Sequence, residues 1–150
     1  MSGGERVLRR ADNGDVLLAR ARLCRSFWCH FRGLMLRGSL AEGEALLFVY
    51  PRASVSATTI HMLFMRFPIA VVWLDGDRVV VDAKLAKPWR LVYAPRRAAR
   101  YVIEARPELF AALAGRPSTS LSFDEICALR PRVHAAIAAQ SPGTRLVKTH

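Results

Sequence analysis

Cysteine, lysine and acid are all scarce in this chain, and no long apolar run is present. Of 150 residues, three are cysteine and twelve are Asp or Glu; only three of the 23 basic residues are lysine. The most apolar stretch, residues 61–74, is interrupted by Arg66 and Pro68 and falls short of the roughly 20 residues a spanning helix needs. The first 18 residues have neither an apolar core nor a small-residue cleavage site, so no secretory leader is expected. Three cysteines are an odd number, which argues against a disulfide framework and for reduced thiols in a cytoplasmic setting. Cys24, Cys29 and His30 stand close together, but no second cysteine pair completes a zinc site, so no metal is expected. Gly33 and Gly38 lack the spacing of a phosphate or dinucleotide loop, and no cofactor is expected.

What is present describes one globular domain. Hydrophobic residues make up 52% of the chain and the mean hydropathy is +0.15, which excludes a disordered chain. A chain of this length buries about 68–70% of its unfolded surface and needs no staple to hold a core. The net charge is +11. One reading of this arginine- and alanine-rich composition is the codon use of a GC-rich genome. A field of this sign also attracts anions, from phosphorylated metabolites to nucleic acid. Placement sharpens the second reading: residues 20–37 carry five Arg and no acid, and residues 84–100 carry six basic residues and no acid.

Residues 1–13 read as a loose lead-in. Residues 16–23 alternate small or apolar side chains with Arg20 and Arg22, the period of a half-buried strand. Ser26 can cap a helix over 27–35 that ends near Gly38. The apolar run 45–50 predicts a strand closed by Pro51, with a polar connection over 52–59. Two β-branched runs, 69–74 and 79–81, flank Asp75-Gly76-Asp77-Arg78 and predict a hairpin. Both faces of its first strand are apolar, so the hairpin is expected at the sheet centre. Residues 83–97 read as a surface connection, 101–104 as a strand, 107–114 as a short helix opened by Pro107, and 121–123 as a last strand. Ser122 and Glu125 fit a capping box, and Pro131 splits the tail into helices near 124–129 and 131–140. The expected fold is α+β: a mainly antiparallel, barrel-like sheet of six or seven strands over residues 1–123, with a C-terminal helical extension over 124–150.

The order of four blocks then carries a resemblance. Arg32-Gly33-Leu34-Met35-Leu36-Arg37 is followed by Ala45-Leu46-Leu47-Phe48-Val49-Tyr50-Pro51. Next come Ile60-His61-Met62 through Met65-Arg66-Phe67-Pro68-Ile69, and finally Tyr101-Val102-Ile103-Glu104. In this order and spacing the chain resembles the bacterial and archaeal family catalogued as domain of unknown function 192, over residues 16–123. The resemblance implies a compact β-rich, barrel-like fold and no established activity. Many relatives are similar to exported proteins with a leader. The chain departs from the family pattern at Ala70, where relatives usually carry Asp, and at Ser118-Thr119, where they often carry Gly-Asp. Chemistry that used that Asp is closed to this chain.

The candidate binding residues are Arg32, Gly33, Met35, His61, Met62, Trp89 and Glu104. Arg32 offers a fork for an anion, and Gly33 beside it permits close backbone approach. Leu34 and Met35 equally serve as core plugs. His61, between Ile60 and Met62, reads first as a hydrogen-bonded core or edge histidine and second as a ligand contact or proton carrier. Glu104, in an apolar strand, reads as a buried carboxylate paired with an arginine. Phe64, Phe67 and Trp73 are expected in the core, whereas Trp89 lies in the basic loop, where a base or sugar can stack. No Ser or Cys is tied to a base in sequence, so catalytic residues are unassigned. The leading expectation is an anionic small ligand or partner held by a basic face. Nucleic acid held by arginines with Trp89 and Tyr93 is the alternative, and an enzyme using His61 with Glu104 is the third reading. Because the tail lies outside the resemblance, a chain ending at Phe123 is expected to fold with modest loss. Far-UV circular dichroism of that truncation checks it, and an unfolded spectrum would place the tail in the core.

Overall fold

The computed structural model describes residues 4–26, 29, 32–113 and 119–123. Seven strands form one sheet: β1 (Glu5–Arg10), β2 (Val16–Cys24), β3 (Glu44–Ser54), β4 (Ile69–Leu74), β5 (Val80–Ala86), β6 (Ala99–Ala105) and β7 (Leu121–Ser122). One short helix, α1 (Glu108–Leu113), follows β6. The strand order is β5-β4-β6-β3-β2-β1-β7. Every neighbouring pair is antiparallel except β2 and β3, which run parallel.

The sheet curls into a half-barrel whose opposite edges touch at one end. Val79, entering β5, bridges Ser120, entering β7. The Val80 amide donates to the Thr119 carbonyl at 3.0 Å, and the Leu121 amide donates to the Arg78 carbonyl at 3.0 Å. These bonds occupy edge groups that would otherwise template aggregation.

Alternation along the strands sorts the core onto two faces. Ala45, Leu47, Ala70, Val72, Leu74, Tyr101 and Ile103 share one apolar cluster with Leu109 and Leu113 of α1. Leu46, Phe48, Val71, Trp73 and Val102 point the other way and join Leu34, Met62 and Met65. The second face is therefore roofed by the chain segments between strands. Trp73 fastens one of them, its indole Nε1 donating to the Thr58 carbonyl at 2.8 Å.

The predicted hairpin is present, with β4 and β5 paired from Ile69↔Ala86 to Leu74↔Val80. Only its first strand is central: β4 lies between β5 and β6, while β5 takes the sheet edge. β5 also runs on to Ala86, into residues read as surface connection. Residues 5–10 are a strand and not a loose lead-in. Leu8 is fully buried there, and the buried guanidinium of Arg10 is held by Asp12 at 2.7 Å. Pro51 does not close β3, which continues to Ser54. The ladder to β6 has no registered partner between Val49 and Ser54, so the missing proline N–H interrupts no ladder bond. Phe64 is exposed, against its expected place in the core.

Ser26 caps as expected, its Oγ accepting from the Cys29 amide at 3.2 Å. Most of the helix expected over 27–35 and the whole extension 124–150 lie outside the described residues. Cys24 and Cys29 form a disulfide with Cα atoms 5.5 Å apart, which corrects the expectation of free thiols. The turn that Ser26 caps brings the two residues within bridging distance. No helix among the described residues is long and apolar enough to cross a membrane.

Candidate functional site

The second face of the sheet carries a buried acid that no cation pairs with among the described residues. Glu104 sits on β6 opposite Leu46 of β3 and Val71 of β4, and the strand period sends its side chain to the roofed face. It is buried, and among the described residues no donor or cation pairs with its carboxyl. The expected arginine partner is absent there. Burial alone pushes its pKa from 4.5 to about 7, because a carboxylate loses more hydration than a neutral acid. Tyr50, brought to the same face two residues after Phe48, has its phenol pushed up to about 12 by burial and then by the Glu104 charge.

Glu104 faces a cavity of about 80 Å³ shared with Met35, Phe48, Tyr50, His61, Met62 and others of the roof. The volume is enough for a few waters or a small ligand group. His61 is exposed and outside any strand; only its neighbour Ile60 forms a bridge, to Tyr93. Of the expected core or edge placement the core is not met, since the isolated bridge leaves His61 on the rim. Met62 is buried, and its carbonyl accepts from the Trp89 amide at 2.8 Å.

A second cavity, of about 410 Å³, lies beyond Gly33. It is lined by Arg22, Arg32 and Arg37 with Cys29, Gly33, Met35 and Leu46. Gly33 has φ +42°, a conformation that disfavours side chains. A Cβ there would stand 3.7 Å from both Glu104 Oε2 and Phe48 Cζ. The Gly33–Met35 segment is thus a thin wall between the two cavities. Arg37 is paired with Glu44 at 3.0 Å. Arg22 and Arg32 pair with no carboxylate among the described residues.

Of the seven predicted residues, Met35, His61, Met62 and Glu104 meet in one cavity, and Arg32 and Gly33 join Met35 in the other. Trp89 lines neither; its ring is exposed and meets Phe64 edge-on, with centroids 5.6 Å apart. Sequence reasoning missed Tyr50, Arg22 and Arg37. The 46, 48, 50 alternation was a usable signal for Tyr50, whereas the two arginines needed the tertiary fold. The two acid-free stretches do not line one cavity. The arginine cavity draws on the first stretch, while Lys84 and Arg96 of the second gather at Asp82, with contacts of 3.3 and 3.7 Å. No cluster of three metal-ligating His, Cys, Asp or Glu side chains occurs among the described residues.

The comparisons agree with this architecture. The family model of domain of unknown function 192 (Uncharacterized ACR) matches residues 8–123. A UPF0127 protein of Thermococcus kodakarensis is 45% identical over 91 residues, covering 61% of this chain and 56% of that protein. A UPF0127 protein of Thermococcus gammatolerans is 40% identical over 111 residues, covering 74% and 71%. The chain spans 56% and 62% of the length of the first two curated relatives it matches. Among solved structures, a protein of unknown function from Novosphingobium aromaticivorans shares the fold with a TM-score of 0.66 at 21% identity, over 79% of this chain and 83% of that one. The model match covers both cavities and nearly every described residue, and the chain belongs to the uncharacterised family of domain of unknown function 192.

Proposed function

We propose that this chain binds a small anionic ligand in the cavity lined by Arg22 and Arg32. The observation that carries the reading is the pair of arginines, Arg22 and Arg32, that line one concave site without a carboxylate partner among the described residues. A cavity of about 410 Å³ falls in the range that small-molecule sites occupy. Guanidinium forks suit carboxylate and phosphate geometry, and each charge-assisted bond contributes about 1.5–3 kcal/mol. Arg37, already neutralised by Glu44, contributes shape more than charge.

Calorimetric titration with inorganic phosphate, a sugar phosphate and a dicarboxylate tests it. Arg32→Ala and Arg22→Ala are expected to weaken the best of these by tenfold or more. Arg97→Ala, at an exposed site outside both cavities, is expected to change it less than twofold. Equal affinity in all four proteins overturns the reading.

A second reading, proton-transfer catalysis, is favoured by one observation: a carboxyl titrating near neutrality shares a cavity with His61. Such a pair suits general acid–base work at neutral pH. In that case Glu104→Gln removes turnover while leaving phosphate affinity in the neighbouring cavity intact.

A further inference from the structure

Three loops project bulky apolar side chains into solvent at one place. Leu36, Phe64 and Trp89 all have positive φ, at 64°, 60° and 64°, where a bulky non-glycine side chain is an outlier. With Leu91 and Val92 they are 48–66% exposed. Backbone bonds stitch the loops together: the Leu36 amide donates to the Phe64 carbonyl at 3.2 Å, and the Met62 amide donates to the Arg90 carbonyl at 2.8 Å. The Phe64 and Trp89 rings meet edge-on across two of these loops. A fold that holds three left-handed apolar residues outward does so against both backbone strain and hydration, and contiguous exposed apolar patches mark interaction surfaces.

The charge around the cluster selects the partner. No acid occurs between residues 45 and 74 or between 83 and 103. Arg66, Lys87 and Arg90, interleaved with the apolar residues, are exposed and pair with no carboxylate among the described residues. Asp82, just before the second interval, is buried and occupied by Lys84 and Arg96. Bases would stack on Phe64 and Trp89, but Leu36, Leu91 and Val92 give nothing to a stack. Aliphatic and aromatic tips set among cations match the boundary between headgroups and acyl chains.

We infer that this chain docks on anionic lipid bilayers by inserting the Leu36, Phe64, Trp89, Leu91 and Val92 tips between headgroups met by Arg66, Lys87 and Arg90. This contact is peripheral and needs no spanning segment. It is also independent of the arginine cavity, so either can fail alone.

Sedimentation of the full chain with phosphatidylcholine vesicles, with and without 30% phosphatidylserine, tests it. Binding is expected only to the anionic vesicles, with partial loss in high salt. Phe64→Asn with Trp89→Asn, where Asn tolerates positive φ, is expected to weaken it tenfold or more at an unchanged melting temperature. Leu91→Asn with Val92→Asn, free of any φ constraint, is expected to give a similar loss and serves if the first variant fails to fold. Absence of binding to the serine-containing vesicles at low salt overturns the inference. So does binding that both apolar variants retain, which marks adsorption by net charge alone. Binding of an RNA oligomer that depends on Phe64 and Trp89, without vesicle binding, assigns the surface to nucleic acid instead.

Discussion

Replacing Val72 by aspartate is expected to abolish folding. Val72 is fully buried in β4, between Ile103 of β6 and Ala83 of β5, on the face that packs against α1. An ionised carboxylate there loses its hydration and gains no partner, a cost of several kcal/mol that comes on top of the lost valine contacts. Domains of this kind are stable by only about 5–15 kcal/mol. Val72→Asp should therefore be insoluble or show no cooperative melt, whereas Val72→Ala should fold and lose about 2–3 kcal/mol. A cooperative transition in the aspartate variant would refute the interior placement of β4.

The second large effect is on pH dependence and centres on Glu104. Its folded pKa of about 7 lies above the unfolded value of 4.5, so the native state holds a proton that the unfolded chain releases. Stability from this group is intact below pH 4.5, declines as pH rises, and is lost above 7. A shift of that size amounts to about 3 kcal/mol across the window. Glu104→Gln, neutral at every pH, should flatten the slope between pH 5 and 8 and gain most on the wild type at pH 8. Urea midpoints of both proteins at pH 5, 6, 7 and 8 measure this. Parallel curves would mean that Glu104 is ionised and partnered in the folded protein.

The elements that the sequence made legible were those whose side chains carry their own period. β4 is apolar on both faces, Tyr101 to Ile103 give β6 an unbroken apolar run, and Asp75 to Arg78 announces the turn that joins β4 to β5. β1 was hidden because Glu5, Arg6, Arg9 and Arg10 outnumber Val7 and Leu8, so backbone pairing to β2 and β7 defines it more than side-chain pattern does. The parallel pairing of β2 with β3 has no local signature at all. In the site, Glu104 stood out as an acid in an apolar strand, and the four-block order pointed to Gly33, Met35 and His61. That Arg22 of β2 joins Arg32 depends on where β2 lies relative to the segment after it, which no spacing encodes. The free-thiol expectation failed on a local matter: the capped turn after β2 shortens the distance between Cys24 and Cys29.

The meeting of the two sheet edges also governs how this chain is made. Arg9 pairs with Ser122, and Val79 with Ser120, so the first strand waits for one of the last before its second edge is satisfied. Joining points so distant along the chain costs loop entropy before any contact repays it, which slows folding. During translation β1 and β2 emerge early with an open edge, and that edge stays unpaired until residue 122 has left the ribosome. Chaperones that shield nascent strands should therefore hold this chain late in its synthesis, and a stalled intermediate short of residue 119 should aggregate through β1.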